Sequence, residues 1–240
     1  FIANFTDDRD VLVIKPDGGE IKHTKVYSRD DNNFIQKAHV AISVDGSIKA
    51  DLKTTSRGLN YDNRQDITFE SEKDQKLHYK DMYGYLNGVE ISKLDFDKQH
   101  DKEEPVFIEK LQVNCAKYGK KAGSKLLFAP NLFNRVQSIP TAYENRKTPF
   151  EIQRSFIDED EYLFSIPANM SIEALPDNIK VDKDFGSYEM TIEKIDDQNF
   201  KYKRILILNS GVYEKEKYKE YRSFIKTIVK KDKSKLVLTT

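Results

Sequence analysis

Strict alternation of apolar and polar residues is the feature that most constrains how this chain can fold. Between residues 38 and 52 every even position except 46 is apolar, namely Ala38, Val40, Ile42, Val44, Ile48, Ala50 and Leu52, and Asp45-Gly46 interrupts the run. Period-two alternation is typical of strands that bury one face, and Asp-Gly is a strong hairpin turn. A two-residue loop would place the two apolar sets on opposite faces. The phase therefore predicts a loop of odd length, most simply Asp45-Gly46-Ser47.

The same alternation recurs along the chain and predicts a mainly β fold with antiparallel, β-sandwich-like sheets. The acidic run Asp158-Glu159-Asp160-Glu161 lies between two of the expected strands and is interpreted as a hairpin loop. Further strands are expected at residues 11–14, 107–115, 150–156, 162–166, 188–192, 200–208 and 236–238.

Two segments have helical periodicity instead. Tyr79, Met82, Tyr83 and Leu86 recur at three- and four-residue spacing, which predicts a helix over about 73–87. A second apolar stripe predicts a helix over 213–230, with glutamates in its first turn and lysines near its end. That order of charges complements the helix dipole.

The length of 240 residues suits a single β-rich unit covering 1–240. Residues 129–148 carry several prolines and asparagines and little periodicity, so they are the best candidate sub-boundary, dividing the chain into 1–130 and 131–240. The chain begins at Phe1, without a methionine or a signal-peptide pattern. We interpret it as part of a longer protein.

Charge and hydropathy exclude two classes of partner. Lysine plus arginine and aspartate plus glutamate both number 40, which gives none of the basic excess typical of nucleic-acid binders. No apolar run approaches the roughly 20 residues that a membrane-spanning helix needs. We therefore expect neither nucleic-acid binding nor a membrane span.

The residues of catalytic and metal chemistry are sparse. The single cysteine, Cys115, is in phase with Leu111 and Val113, which places it in an apolar face where thiols are usually inert. The four histidines are far apart in sequence and lack metal-ligand spacing, and His39 is expected to face solvent. No phosphate-binding, dinucleotide or nucleophile-elbow motif is present, so we expect no cofactor, no metal and no catalytic site.

Arg146 is open to two interpretations. It lies three residues before Pro149, at the entrance to an expected strand, where an arginine can bind an anionic group. Its planar head with five donors is equally suited to bracing the carbonyls of a long loop, and we favour that structural role.

Several short motifs resemble the C-terminal region of a family of exported bacterial proteins that contain a transglutaminase-like domain. Upstream, Gly18-Gly19 and the Asp45-Gly46 hairpin resemble the region just after the transglutaminase core. The motifs that carry the resemblance are Asn131-Leu132-Phe133-Asn134, Arg146-Lys147-Thr148-Pro149, Ile166-Pro167, Glu173-Ala174-Leu175-Pro176, Phe185-Gly186-Ser187-Tyr188, the closing helix from Tyr218 to Ile228, and Leu236-Val237-Leu238.

In that family a papain-like core supplies the catalytic Cys, His and Asp, and a β-rich domain of unknown function follows it. The resemblance implies that this chain is the non-catalytic domain, in the periplasm or at the cell surface. Its expected partner is the upstream transglutaminase-like domain, with a cell-envelope protein or glycan as a further partner. The motif residues that we expect to be structural are Asn134, Arg146, Pro149, Pro167, Pro176 and Gly186.

The leading hypothesis is an accessory domain that supports or targets the catalytic core. The alternative is a free-standing glycan- or peptide-binding β-sandwich module, which the absence of tryptophan makes less favourable, although tyrosine can substitute. A third hypothesis is a carboxylate-based hydrolase, which requires two carboxylates about 5–10 Å apart in a cleft.

Overall fold

The structure is a computed structural model that describes residues 5–101 and 103–240. Strands dominate, and the prediction of a mainly β fold with several antiparallel sheets is confirmed. The strands are β1 Asp10–Lys15, β2 Gly18–His23, β3 Asn33–Ile42, β4 Ile48–Arg57, β5 Val89–Gln99, β6 Val106–Cys115, β7 Lys120–Ala122, β8 Lys125–Phe128, β9 Phe150–Ile152, β10 Phe156–Ser165, β11 Ser171–Ala174, β12 Ile179–Lys183, β13 Gly186–Lys194, β14 Asn199–Leu208, β15 Gly211–Tyr213 and β16 Leu236–Thr239.

The described residues form three α-helices. They are α1 Leu59–Arg64, α2 Glu72–Met82 and α3 Tyr218–Asp232, and short 3-10 helices cover Gln65–Phe69 and Lys215–Lys217. The two predicted helices correspond to α2 and α3. The six-residue α1 was not predicted, because it is too short to show a helical repeat.

An eight-stranded sheet forms the framework, in the order β12-β13-β14-β10-β3-β4-β6-β5. Its neighbours are antiparallel except β10 and β3, which run parallel at the centre. This central pair joins strands from both sides of residue 130 into one sheet. A four-stranded sheet, β11-β16-β8-β7, and the two-stranded pairs β15-β9 and β1-β2 complete the strands.

The main core lies against one face of the eight-stranded sheet. Alternate residues of β3, β4 and β6 are buried there, and the opposite side of the core includes Phe224 and Ile228 of α3 and Leu236 and Leu238 of β16. The other face of the same sheet is solvated along β3 and β4. Antiparallel sheets tolerate this arrangement, and it produces the alternation seen in the sequence.

The hairpin between β3 and β4 confirms the odd loop length. Ile42 pairs with Ile48 and Val40 with Ala50, so both apolar sets share the buried face. The loop covers residues 43–47 rather than 45–47, and Val44 lies in it with 38% of its surface exposed.

Several sequence-based boundaries were wrong. The helix predicted over 213–230 begins only at Tyr218, because Tyr213 ends β15, and Glu214 and Glu216 precede the helix instead of lying in its first turn. The acidic run 158–161 is not a loop, because it lies in the middle of β10, where alternate side chains turn inward and outward. The helix predicted over 73–87 ends at Met82. The amides of Gly84 and Leu86 then bond to the carbonyls of Asp81 and Tyr83 in a turn, which still directs Tyr83 and Leu86 into the core.

Candidate functional site

A row of buried polar side chains crosses the core face of the large sheet. Arg204, Asp160, Gln36, Thr54 and Glu109 lie directly opposite one another on β14, β10, β3, β4 and β6. All five are at most 3% exposed. Polar groups in such a position are costly unless they are hydrogen-bonded, so their partners decide what the row does.

Arg204 organises one end of the row. Its Nη1 donates to Asp160 Oδ2 at 2.7 Å and its Nε to Asp232 Oδ1 at 3.0 Å, and all three side chains are fully buried. Tyr188 also donates to Asp232 Oδ1, at 2.9 Å, and Asn134 Nδ2 donates to Asp160 Oδ1 at 3.1 Å. This charge network ties β10, β14, α3 and the loop around Asn134 together.

The middle of the row is linked by neutral side chains. The Tyr162 hydroxyl donates to Gln36 Oε1 at 2.7 Å and lies 3.3 Å from Asp160 Oδ1. Gln36 Nε2 donates to Thr54 Oγ1 at 3.4 Å. These hydrogen bonds therefore extend from the Arg204 network to Thr54, which lies opposite Glu109 on the adjacent strand.

Three carboxylates surround the single Arg204 guanidinium, namely Asp158, Asp160 and Asp232. Burial raises the pKa of Asp158 to about 7 against the attraction of Arg204, and the neighbouring Asp160 raises it further. Burial likewise raises the pKa of Asp160 to about 6. The folded protein therefore retains protons on this cluster under mildly acidic conditions.

A pH dependence of stability follows from Asp158. An unfolded aspartate ionises near 3.8, whereas folded Asp158 keeps its proton up to about pH 7. The folded state binds more protons in that window, so its stability falls as the pH rises from about 4 to 7, by about 1.4 kcal/mol per pH unit. We expect Asp158→Asn to reduce that loss by about 2–4 kcal/mol in urea titrations at pH 4, 5.5 and 7.5.

The matched control for this substitution is Glu159→Gln, which changes the neighbouring, exposed side chain of β10. If the free energy of unfolding depended on pH in the same way for Asp158→Asn and for the unsubstituted protein, Asp158 would not hold the proton.

Glu109 closes the other end of the row at a cleft. Arg64 Nε and Nη2 donate to its two carboxylate oxygens at 2.7 and 2.8 Å, and the Tyr79 hydroxyl donates to Oε1. The cleft has a volume of about 510 Å³ and is walled by α1, the following 3-10 helix and α2. Its rim carries the acidic residues Asp66, Glu70, Asp74 and Asp81.

The floor of this cleft is a bidentate ion pair. Burial alone would lower the pKa of Arg64, but the Glu109 carboxylate more than offsets it and keeps the guanidinium charged. Both Glu109 oxygens are occupied by Arg64 and Tyr79. The groups that bind the Glu109 carboxylate at this cleft are thus a cation and a phenol, not the second carboxylate that the hypothesis of a carboxylate-based hydrolase requires.

Arg146 lies outside both ends of the row. It donates through Nε to the Thr148 carbonyl at 2.9 Å and through Nη2 to the Pro149 carbonyl at 3.1 Å. Its guanidinium carbon is 4.6 Å from the centre of the Tyr218 ring. These contacts hold residues 146–149 against the start of α3.

The other motif residues are dispersed. Asn134 joins the Arg204 network, and the Pro167 carbonyl accepts from the amide of Met170 at the end of β10. Pro176 lies between β11 and β12. Gly186 begins β13 with a φ of +140°. Of these motif residues, Asn134 is the one whose side chain bonds to a member of the polar row, Asp160.

Cys115 is buried, in phase with Leu111 and Val113 as predicted. Its thiol donates to the Asn87 carbonyl at 2.7 Å, and burial raises its pKa. His39 is exposed on β3, also as predicted. Within residues 5–101 and 103–240, no group of three or more His, Cys, Asp or Glu side chains is placed to hold a metal ion.

The hairpin of β1 and β2 presents an apolar surface to solvent. Leu12 pairs with Ile21, and Ile14 lies two residues along the same face. Their exposed fractions are 61%, 66% and 85% for Leu12, Ile21 and Ile14. We call these three side chains the hairpin face.

The fold is a mainly β domain whose core carries a buried polar row. Residues 124–238 match the family model DUF3858, described as a domain of unknown function with a solved structure. That span includes Asn134, Asp160, Arg204 and Asp232, but not Arg64 or Glu109. No curated protein and no solved structure matches the chain. In the described part of the chain, no helix is long and apolar enough to cross a membrane.

Sequence reasoning missed the polar row, although a signal was present. Gln36, Thr54, Glu109, Asp160 and Arg204 are each two residues from an apolar residue of the buried set, in the same phase. A polar residue at a position where the alternation calls for a buried apolar residue is therefore the sequence signal for such a row. To predict that the five residues form one row, one would also need to know that β10 pairs with β3 and in which register. These two strands are more than 100 residues apart in the sequence.

Proposed function

We propose that this chain is a non-catalytic interaction domain of an exported bacterial protein, which supports or targets a transglutaminase-like domain located upstream in the same protein. The hairpin face is the observation that carries the proposal. The link to a transglutaminase-like domain and to the periplasm or cell surface rests on the sequence resemblance.

The hairpin face has the composition of a contact surface. Three large aliphatic side chains are exposed side by side, whereas single exposed apolar residues are ordinary on a protein surface. A two-stranded hairpin with only solvent on this face is marginally stable in water. Covering each side chain is worth about 1.5–3 kcal/mol, which favours docking against another surface.

The hairpin is fixed to the body of the domain at its base. The amide of Thr24 donates to the Arg9 carbonyl at 2.8 Å, which extends the pairing beyond β1 and β2. The buried Asp7 carboxylate accepts from Arg154 Nη2 at 2.7 Å. A partner that binds the hairpin face would therefore be held in a defined orientation to the domain.

The upstream domain is the partner that we favour, because β1 and β2 come first among the described elements. In the family that the sequence resembles, the catalytic core precedes the β-rich domain. The chemistry belongs to that core in this proposal, since Cys115 is buried with a raised pKa and has no histidine among its hydrogen-bond partners.

The test uses this chain and the upstream coding region expressed separately, with their association measured by calorimetry. We expect the triple substitution Leu12→Ser, Ile14→Ser and Ile21→Ser to weaken association at least tenfold, which corresponds to about 1.4 kcal/mol or more. Ile195→Ser is the control, because Ile195 is 51% exposed and bonds to Asn199, which pairs with Ser165 at the end of β10 remote from the Arg154–Asp7 contact.

Two results would contradict the proposal. One is the absence of any association between the two parts, together with unchanged thermal stability of the upstream part when this chain is added. The other is equal weakening by the triple substitution and by Ile195→Ser.

A further inference from the structure

The solvated face of the large sheet carries three lysines directly opposite one another on adjacent strands. Lys37 on β3 pairs in register with Lys53 on β4, and Lys53 with Lys110 on β6. All three are exposed. We propose that this face binds an acidic oligosaccharide, one that carries carboxylate or sulfate groups, across the three strands.

Like charges directly opposite on neighbouring strands destabilise a sheet. Lys110 has a partner, because its Nζ lies 3.1 Å from Asp95 Oδ2. Lys37 and Lys53 form no ion pair with any of the described residues. Glu161 on β10 and Asp95 on β5 lie opposite Lys37 and Lys110 at the two ends of the row. Lys53 is thus the lysine whose cross-strand neighbours are both cations, and an anionic ligand would relieve that repulsion.

The lysines line a groove rather than a bare surface. One groove of about 400 Å³ includes Lys37, Lys53 and Lys110, and a second of about 370 Å³ adjoins it and shares His39, Asp51 and Gln112. Adjacent strands are about 4.8 Å apart, so the three ammonium groups form a short row across the strands. A polymer that crosses β3, β4 and β6 perpendicular to the strands would meet one cation at each of these three strands.

The rows on either side of the lysines favour a sugar over other anions. His39, Asp51 and Gln112 form one flanking row and offer both donors and acceptors, as hydroxyl groups require. Ile35, Thr55 and Ile108 form the other, which suits the apolar face of a sugar ring.

An acidic peptide fits this face less well. An extended peptide gains affinity by pairing its backbone with an open strand edge. Here β3, β4 and β6 each have hydrogen-bonded neighbours on both sides, so this face offers no strand edge. A ligand on this face must therefore be recognised by the side chains of β3, β4 and β6, through polar groups of the ligand that bind to those side chains.

The test is calorimetry of the whole chain with oligogalacturonate, at low and at 0.15 M salt. The comparison ligands are a neutral oligosaccharide of the same length and polyglutamate. We expect binding of oligogalacturonate and at least tenfold weaker binding by the double variant Lys37→Gln, Lys53→Gln. The double variant Lys226→Gln, Lys230→Gln makes the same charge change on the exposed side of α3 and should bind normally.

A thermal measurement without ligand tests the repulsion separately. We expect Lys53→Gln alone to raise the Tm, because it removes a like charge between Lys37 and Lys110. A lowered Tm would overturn the repulsion argument. The proposal as a whole would be overturned by no binding of oligogalacturonate, by equal losses in both double variants, or by tighter binding of polyglutamate, which would identify an acidic peptide as the partner.

Discussion

Replacing Arg204 by methionine is expected to lower the free energy of unfolding by about 3–5 kcal/mol at pH 7.5. The substitution roughly preserves the volume of the side chain and removes the one cation among the described residues that pairs with the buried Asp160 and Asp232 carboxylates. The carboxylates would then remain buried without a counter-ion, which is costly unless they take up protons. Urea titration followed by circular dichroism measures the loss.

The loss should shrink at pH 4.5, because protonation of Asp158 and Asp160 removes the uncompensated charge. This dependence distinguishes an electrostatic cause from poor packing of the methionine. Lys203→Met is the matched control, since Lys203 is the next residue on β14, faces solvent and pairs with Glu161 at 3.4 Å. Exposed ion pairs contribute about 0–1 kcal/mol. Equal losses for the two substitutions would refute the role given to the buried network.

The second large effect is expected from Gly186→Ala, which should lower the free energy of unfolding by about 3 kcal/mol or more. Gly186 has a φ of +140° at the start of β13, a conformation that L-residues rarely adopt. An added Cβ would also collide with the backbone carbonyl of Ile207 on β14. The two strands would have to separate at this position, where Gly186 pairs with Leu208.

Gly123→Ala separates the two causes. Gly123 also has a positive φ, +64°, but nothing lies within 4 Å of the position that its Cβ would take. We expect this control to cost only the backbone strain, about 1–2 kcal/mol. If urea titrations gave the same loss at both glycines, the close approach of Ile207 would have no energetic consequence.

The local alternation of apolar and polar residues was sufficient to predict the strands that bury one face. The even-numbered apolar residues of β3 and β4 predicted their pairing and the odd loop length, because a one-residue shift would turn the apolar set to solvent. The stripe of α3 was predicted for the same kind of reason, since Phe224 and Ile228 are one turn apart on its buried side.

The pairing of strands that are distant in the sequence could not be predicted from local patterns. The parallel contact of β10 with β3 brings Asp160 beside Gln36, and no local signal indicates which distant strand a given strand will join. The acidic run 158–161 was wrongly predicted as a loop for a related reason. Its inward-facing members, Asp158 and Asp160, are stabilised by Asn134 and Arg204, which are distant in sequence.

Three regions of the domain have distinct roles. The buried row from Arg204 to Glu109 holds the large sheet to α3 and reaches the acidic cleft. The hairpin face is the proposed contact with the upstream domain, and the lysine row on the solvated sheet face is the proposed contact with an acidic glycan. The hairpin face carries the central functional claim, because it exposes three large aliphatic side chains side by side.

Amide hydrogen exchange of residues 10–23, compared between this chain and the full-length protein, tests that claim most directly. Exchange reports local opening, which docking would suppress. We expect rapid exchange in the isolated chain and exchange slowed by about tenfold or more in the full-length protein, which corresponds to about 1.4 kcal/mol of local stabilisation. Identical exchange in the two would show that the hairpin face stays uncovered and would contradict the proposed docking.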